Sequence, residues 1–289
     1  AISTYLLVSL LFWYSGLIPD LATLRDRART RFQQIAYGLF ALGWRGEARH
    51  WARYETMYRL LAGLAAPLVI SVHSIVALDF SIGNTPGYHS TMFPPYFVVG
   101  ALFSGFAMVL TLAIPLRHWF SLHDFITTRH LDLAARLVLA TSLILGYCYL
   151  IEAFTVYYSG DVYEIAMLEN RWAGVYAPAY WGMLVCNVLV PQALWLAHVR
   201  RNALGLFVIS LVVDVGMWVE RAMIVITSLY RDFLPSSWDL FVPTRWDWAH
   251  LFGSIGLFAF LFLLFLRFLP AISMAEMRKL VRESAEANR

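Results

Sequence analysis

The segment Arg59–Phe80, RLLAGLAAPLVISVHSIVALDF, is long and apolar enough to cross a bilayer, yet it carries His73 in its interior and Asp79 near its end. A hydrocarbon core of about 30 Å needs about 20 apolar residues in a helix. Ionisable side chains at such depth are costly, so they usually face a protein interior or a water path, and they often mark function. The segment therefore predicts a membrane protein with a titratable interior.

The composition supports a membrane protein, because 60% of the 289 residues are hydrophobic and 16% are aromatic. The net charge of +3 is small, and no nucleotide or Walker A motif is present. We therefore expect the lipid bilayer, and no nucleic acid, as a partner. Cys148 and Cys186 stand alone in apolar segments, so neither a disulfide nor a zinc site has the required spacing.

Six further segments resemble the opening one in apolar character. Helices are the expected form, because lipid cannot satisfy backbone polar groups and the short alternating strands of a barrel do not occur. We predict an all-α, polytopic transmembrane helix bundle that forms a single integral membrane domain over 1–289. Its seven predicted spans are 1–18, 59–80, 96–116, 132–158, 177–199, 203–229 and 249–269.

Basic residues cluster in alternate connecting segments, which predicts the orientation of the chain. The segments 20–59, 117–131 and 200–202 are rich in arginine, as is the tail with Arg278, Lys279 and Arg282. The positive-inside rule places these segments in the cytoplasm, so Ala1 is expected outside and Arg289 inside, with 270–289 as a cytoplasmic tail. An external start without a signal sequence predicts an odd number of helices upstream.

The segment 19–58 is too polar to span a membrane. Within it, RFQQIAYGLFALGW (Arg31–Trp44) has an apolar face at helical spacing. We predict a basic amphipathic segment on the cytoplasmic side that lies along the membrane surface or against a partner. An ordinary helix in a surface loop is compatible with the same pattern.

Further ionisable residues lie inside later spans, and a rise of about 1.5 Å per residue estimates their depths. The depths of successive residues differ by small amounts from the midplane to the outer face, as a proton path bridged by water requires. An alternative is that they only join helices, since polar contacts between membrane helices are common and contribute about 1 kcal/mol each. From the midplane outward the predicted series is Asp214, His73, Glu220, Glu152 and Asp79, with Arg221 beside Glu220.

Helical geometry restricts the pairing of these residues. His73 and Asp79 lie ~120° apart and about 9 Å along one helix, so they cannot pair directly. We expect Arg221 to pair with Glu152, or with Asp214 through water. Smaller polar residues are weak signals, because small polar groups are routine in helix packing; they are Ser104, Thr111, Asn187 and Gln192.

The chain shows no catalytic centre of its own. His73 is the only histidine well inside a span, which disfavours a bis-histidine haem, and no cysteine cluster could hold an iron–sulfur centre. A redox role would therefore depend on a diffusible quinone or on a partner subunit.

Two stretches resemble a known family. FWYSGLIPDLATLRDRA (Phe12–Ala28) and SVHSIVALDFSIGNTPGYHSTMFPPYFVVGALFSGFAMV (Ser71–Val109) resemble the NrfD/polysulfide reductase C family of quinone-interacting membrane subunits. The chain is most similar to the large membrane subunits of bacterial alternative complex III. The first stretch favours the ActC type over its paralogue ActF, and the resemblance covers nearly the whole chain.

The resemblance implies a ten-helix subunit with two four-helix bundles, of which three helices would precede Ala1. It implies menaquinol oxidation beside an iron–sulfur subunit on the outer face of the bacterial cytoplasmic (inner) membrane, with haem c in a multihaem cytochrome c subunit and with a paralogous membrane subunit. The chain itself would hold no haem or metal. Most quinol-binding residues would lie upstream of Ala1, and His73 and Asp79 match a VHS…DF pattern associated with a proton path.

We therefore expect a membrane subunit of a quinol-oxidising electron-transfer complex of a respiratory or photosynthetic chain. Two alternatives remain open. A secondary transporter would hold its substrate between Asp214 and Arg221 near the midplane. A structural anchor for peripheral subunits would need none of the ionisable residues.

Overall fold

The computed structural model describes residues 2–231, 234–278 and 281, and every regular element within them is helical. This confirms the all-α prediction. The predicted positions of Ala1 and Arg289, and Lys279 and Arg282 of the basic tail, lie outside the described residues. The helices are α1 Ile2–Asp26, α2 Arg31–Phe40, α3 Ala48–Ser81, α4 Phe93–Trp119, α5 Thr128–Ser159, α6 Val162–Ala173, α7 Ala177–Leu184, α8 Ala197–Arg201, α9 Ala203–Leu229 and α10 Arg245–Phe268.

Six of the described helices are long and apolar enough to cross a membrane: α1, α3, α4, α5, α9 and α10. A seventh candidate is a bent pair, in which α6 meets the helical segment Ala177–Trp195 at 81°. The described residues thus hold six to seven candidate spans, in agreement with the polytopic bundle predicted from hydropathy.

The predicted span 177–199 is not one uniform helix. It begins as α7, continues as a π-helix over Val185–Leu189 and a 3₁₀-helix over Val190–Trp195, and ends in α8. Pro191 explains the change, because proline has no N–H to donate to the carbonyl four residues earlier. That carbonyl, Asn187 O, instead accepts a hydrogen bond from Ser142 Oγ on α5 at 2.7 Å.

The chain divides into two compact units, Ala1–Val69 with Val242–Arg289, and Ile70–Phe241. In the second unit α4 packs against α5 and α9, and the segment Ala177–Trp195 packs against α5 and α9 as well. These four form a helical bundle, and its buried core contains Phe93, Phe103, Leu110, Leu145, Leu206 and Val213.

In the first unit, the carboxylate of Asp20 ties α1 to the residues that follow α10. Asp20 is 1% exposed and accepts hydrogen bonds from the backbone N–H groups of Met274 and Ala275, at 3.1 and 2.9 Å. These N–H groups belong to the first residues of the helical turn 274–278. The buried carboxylate thus accepts from donors that have no partner within the helix.

The amphipathic segment of the first unit forms α2, which Thr30 caps by accepting from Gln33 N. Phe32, Ile35 and Leu39 recur at helical spacing along it, and all three are exposed. An exposed apolar stripe of this kind is typical of a helix at a membrane surface. Its location on the cytoplasmic side stays a prediction.

Candidate functional site

The carboxylate of Glu220 lies at the centre of the bundle in the second unit and is fully buried. Its Oε2 accepts hydrogen bonds from Tyr149 OH and from Asn187 Nδ2, the latter at 3.2 Å. Its Oε1 lies 3.0 Å from an NH2 group of Arg221. Removing a carboxylate from water is costly, so this cluster of donors and one cation is what allows the acid to lie here.

The π-helix positions Asn187 against this carboxylate. A π-turn inserts one extra residue into a helix and so rotates the following side chains, and such turns are frequent at functional sites. Asn187 is fully buried, and its Nδ2 donates to Tyr149 OH at 3.1 Å as well as to Glu220. Gly216 on α9 makes room, because a Cβ there would lie 2.6 Å from Cys186 Cβ.

The guanidinium of Arg221 turns toward α4. It lies 4.1 Å from the ring centre of Phe97 and 5.3 Å from that of Tyr96, a cation–π arrangement. Gly100 leaves the necessary space, since a Cβ there would lie 2.6 Å from Arg221 NH2. Its ion pair is with Glu220, so the expected pair of Arg221 with Glu152 is wrong. A contact with Asp214 through water stays a prediction.

An open groove of about 570 Å³ adjoins Arg221. His73 on α3, Ser104 on α4 and Asp214 on α9 line it together with Arg221. Asp214 Oδ2 accepts a hydrogen bond from Thr111 Oγ1 of α4 at 2.7 Å. The structure thus brings His73, Asp214 and Arg221 together at this groove, and Arg221 connects the groove to buried Glu220.

A second ion pair lies further along the bundle, where Arg171 of α6 binds Glu152. The side chain of Arg171 is buried, with NH1 3.0 Å from Glu152 Oε1 and Nε donating to Thr227 Oγ1 at 2.9 Å. Arg171 lies between the predicted spans 132–158 and 177–199, and the sequence analysis did not predict its burial. The signal was the apolar pair Met167 and Leu168, which gives α6 a face that packs inward.

Two helices set the spacing between the ion pairs. Tyr149 and Glu152 are three residues apart on α5, so they lie about one turn from each other on neighbouring parts of the helix surface. Glu220 and Thr227 are seven apart on one face of α9, or about 10 Å along its axis. Glu152 therefore lies about one helical turn from Tyr149, the residue that donates to Glu220.

The structure does not bring Asp79 into this cluster. Its side chain is exposed on α3, whereas Glu152 and Glu220 are held by partners inside the bundle. Within the described part of the chain, no three His, Cys, Asp or Glu side chains converge as they would around a metal ion. The buried set can hold charge and exchange protons.

The fold and this site define a polytopic helical membrane protein with a series of buried ionisable side chains. The family model described as polysulphide reductase, NrfD, matches residues 1–231 of the 289. The chain belongs to the NrfD family, whose members are membrane subunits of redox enzyme complexes that bind quinol and partner with iron–sulfur subunits. A search of curated proteins found no match to the chain.

Proposed function

We propose that this chain is a membrane subunit of a quinol-oxidising complex of the alternative complex III type and that it provides a buried proton path. The observation that carries the proposal is the buried carboxylate of Glu220, held by Tyr149, Asn187 and Arg221 beside an open polar groove. Oxidation of a quinol releases two electrons and two protons. A subunit that binds quinol therefore needs a route by which protons leave, and buried carboxylates bridged by water provide one.

The path begins at the groove, where His73 and Asp214 are reached from outside the bundle. Glu220 receives the proton next, and the positive charge of Arg221 favours its return to the ionised state. Glu152 follows towards the predicted outer side, with water bridging the interval. Asp79, exposed on α3, would act only where water or a partner subunit reaches it.

The redox centres belong to partners in this proposal. Menaquinol is the bound substrate, and an iron–sulfur subunit would pass its electrons to haem c of a multihaem cytochrome c or another periplasmic acceptor. A paralogous membrane subunit would complete the complex. The subunit would be of the ActC type.

The charges of the loops and the family membership support a location for the chain in the cell. The alternation of basic and non-basic loops supports a multi-pass protein of the bacterial inner membrane, with its C-terminus in the cytoplasm. The family membership supports a membrane complex that transports electrons.

One observation favours a second candidate, a transporter, because Asp214 and Arg221 line the same groove. In that case the groove would bind the substrate near the membrane midplane. Substrate-dependent uptake by liposomes that contain the isolated chain would support the transporter. The ion pair of Arg221 with Glu220 weakens it, because the guanidinium already has a buried counterion.

Mass spectrometry of the proteins that co-purify with this chain in mild detergent tests the complex directly. We expect an iron–sulfur subunit, a multihaem cytochrome c and a paralogous membrane subunit. A chain that purifies alone would contradict the proposal and make the transporter the better explanation.

Asp214→Asn tests the entrance of the path. Asparagine keeps an oxygen that can accept from Thr111 Oγ1, so assembly should be preserved while the titratable group is lost. We expect the rate of proton release, relative to the rate of electron transfer, to fall by about tenfold or more in complexes reconstituted into liposomes. A positioned proton carrier contributes at least that much to the rate. Asp124→Asn, in an exposed loop, is the matched control; equal release in the two variants would remove Asp214 from the path.

A further inference from the structure

The loop 82–92 and the start of α6 close over one end of the buried ion pairs, on the predicted outer side. Both carboxylate oxygens of Glu164 lie 3.0 Å from the backbone N–H of Gly87. Asp161 caps α6 by accepting from Tyr163 N and Glu164 N, which fixes the first turn. Glu164 is half-buried, so it lies between solvent and the interior of the bundle.

The backbone at Gly87 approaches the buried guanidinium of Arg171. Gly87 has φ +86°, a conformation that favours glycine. A Cβ there would lie 2.6 Å from Ser228 Oγ and 3.0 Å from Arg171 NH2. Gly87, whose N–H binds Glu164, therefore also lies against the guanidinium of Arg171, which pairs with Glu152.

Two polar groups beside Gly87 have no hydrogen-bond partner among the described residues. They are Arg171 NH2 and Ser228 Oγ, and their side chains are almost completely buried. Buried groups of this kind are usually satisfied by ordered water, which needs a polar site with several partners. Both groups lie within 3.0 Å of one point, the Cβ position of Gly87, together with the methyl group of Met167.

We infer that Glu164 is the outermost carrier of the proposed proton path and that a water held by Arg171 and Ser228 connects it to Glu152. The inference rests on the proposed function. A proton passes from the Glu152 carboxyl to this water, and the water gives a proton to the Glu164 carboxylate. Glu164 then releases its proton to the outer solution, while Arg171 remains protonated throughout.

The surroundings of Glu164 suit this exchange. Glu164 lies between the predicted spans 132–158 and 177–199, and its burial raises the pKa of the carboxyl above its ordinary value of 4.5. The Gly87 N–H and the charges of Arg171 and His89 act against this rise, and Asp161 adds to it. A carboxyl with a raised pKa accepts protons more readily than an ordinary surface glutamate.

The test is Glu164→Gln in the whole complex, reconstituted into liposomes, with proton release to the outer solution and electron transfer recorded together. Glutamine retains an oxygen that can accept from Gly87 N, so the loop should stay in place. We expect proton release to slow by about tenfold relative to electron transfer. Glu169→Gln, exposed on the same helix, is the matched control and should behave as the wild type.

A second pair of variants tests the position of the loop. Gly87→Ala should slow proton release, because the new methyl group displaces the loop from Ser228 and Arg171. Gly160→Ala is its control, since Gly160 also has a positive φ (+68°) but has open space around it. Only the first variant should affect proton release.

The outcomes separate this inference from the function on which it rests. Normal release in Glu164→Gln, together with slowed release in Glu220→Gln, would overturn the role of Glu164 and leave the proton path standing. Normal release in both would overturn the path itself.

Discussion

Replacement of Glu220 by glutamine is expected to slow proton release by a factor on the order of a hundred in the reconstituted complex. The buried carboxylate accepts from Tyr149 OH and Asn187 Nδ2 on one oxygen and faces Arg221 with the other. Glutamine has a single acceptor oxygen and carries no charge. It can neither hold the proton in transit nor neutralise Arg221.

The same change should also affect stability. A fully buried ion pair that loses one partner is destabilised by about 3–5 kcal/mol. Because the Arg221 side chain is 35% exposed, water screens the charge left behind, and the loss should fall below this range. The double variant Glu220→Gln/Arg221→Gln removes the orphaned charge, so it should recover most of the thermal stability. Proton release should not recover, because the titratable group is still missing.

This difference distinguishes a proton carrier from a structural ion pair. Thermal unfolding in detergent and proton release in liposomes are measured on the wild type, the single variant and the double variant. If release returns to the wild-type rate together with stability, Glu220 only holds helices together. Glu169→Gln again provides the control, because it removes an exposed carboxylate without a buried partner.

The sequence predicts the ionisable groups of this site well where they interrupt an apolar helix. Glu220, Asp214 and His73 stand out in that way, and the structure places the last two in one groove with Arg221. Tyr149 and Asn187 are neutral and ordinary in a membrane helix, so no pattern distinguishes them as partners of Glu220. Their role depends on how α5, the π-helix and α9 pack.

The ion-pair partners of the buried residues were harder to predict than the positions of these residues along the helices. Arg221 was expected to pair with Glu152 because an unpaired arginine at that depth is costly, but Arg171 already binds that carboxylate from α6. Hydropathy could not reveal this, because Arg171 lies in a segment too polar to be predicted as a span. The break at Pro191 shows a related limit: the proline was visible, but the hydrogen bond from Ser142 that satisfies Asn187 O depends on tertiary contact.

Gly216→Ala is expected to be the most destabilising single-methyl change in the bundle. The added Cβ would overlap Asn187 Oδ1 and lie 2.6 Å from Cys186 Cβ, so α9 and the π-helix would have to separate. Overpacking of this kind costs typically about 1–3 kcal/mol, and the preference of about 1 kcal/mol for alanine over glycine in a helix offsets only part of it. Small residues at such positions allow membrane helices to approach closely.

Gly182→Ala is the matched control for this prediction. Gly182 lies on the exposed side of α7 with no neighbour near its Cβ position. Alanine favours a helix over glycine by about 1 kcal/mol, so this variant should be as stable as the wild type or more stable. Thermal unfolding of both variants in the same detergent gives the comparison, and equal stability would show that α9 and the π-helix are not in close contact.

The damage at Gly216 should extend to proton release. Gly216 and Glu220 are four residues apart on one face of α9, and Asn187 contacts both positions. When the methyl group displaces Asn187, Glu220 loses one of the hydrogen-bond donors that hold its carboxylate in place, so it should pass protons on more slowly. We therefore expect slower proton release in those Gly216→Ala complexes that still assemble. Assembled complexes with a wild-type release rate would mean that Asn187 supports the packing of the bundle and does not influence the acid.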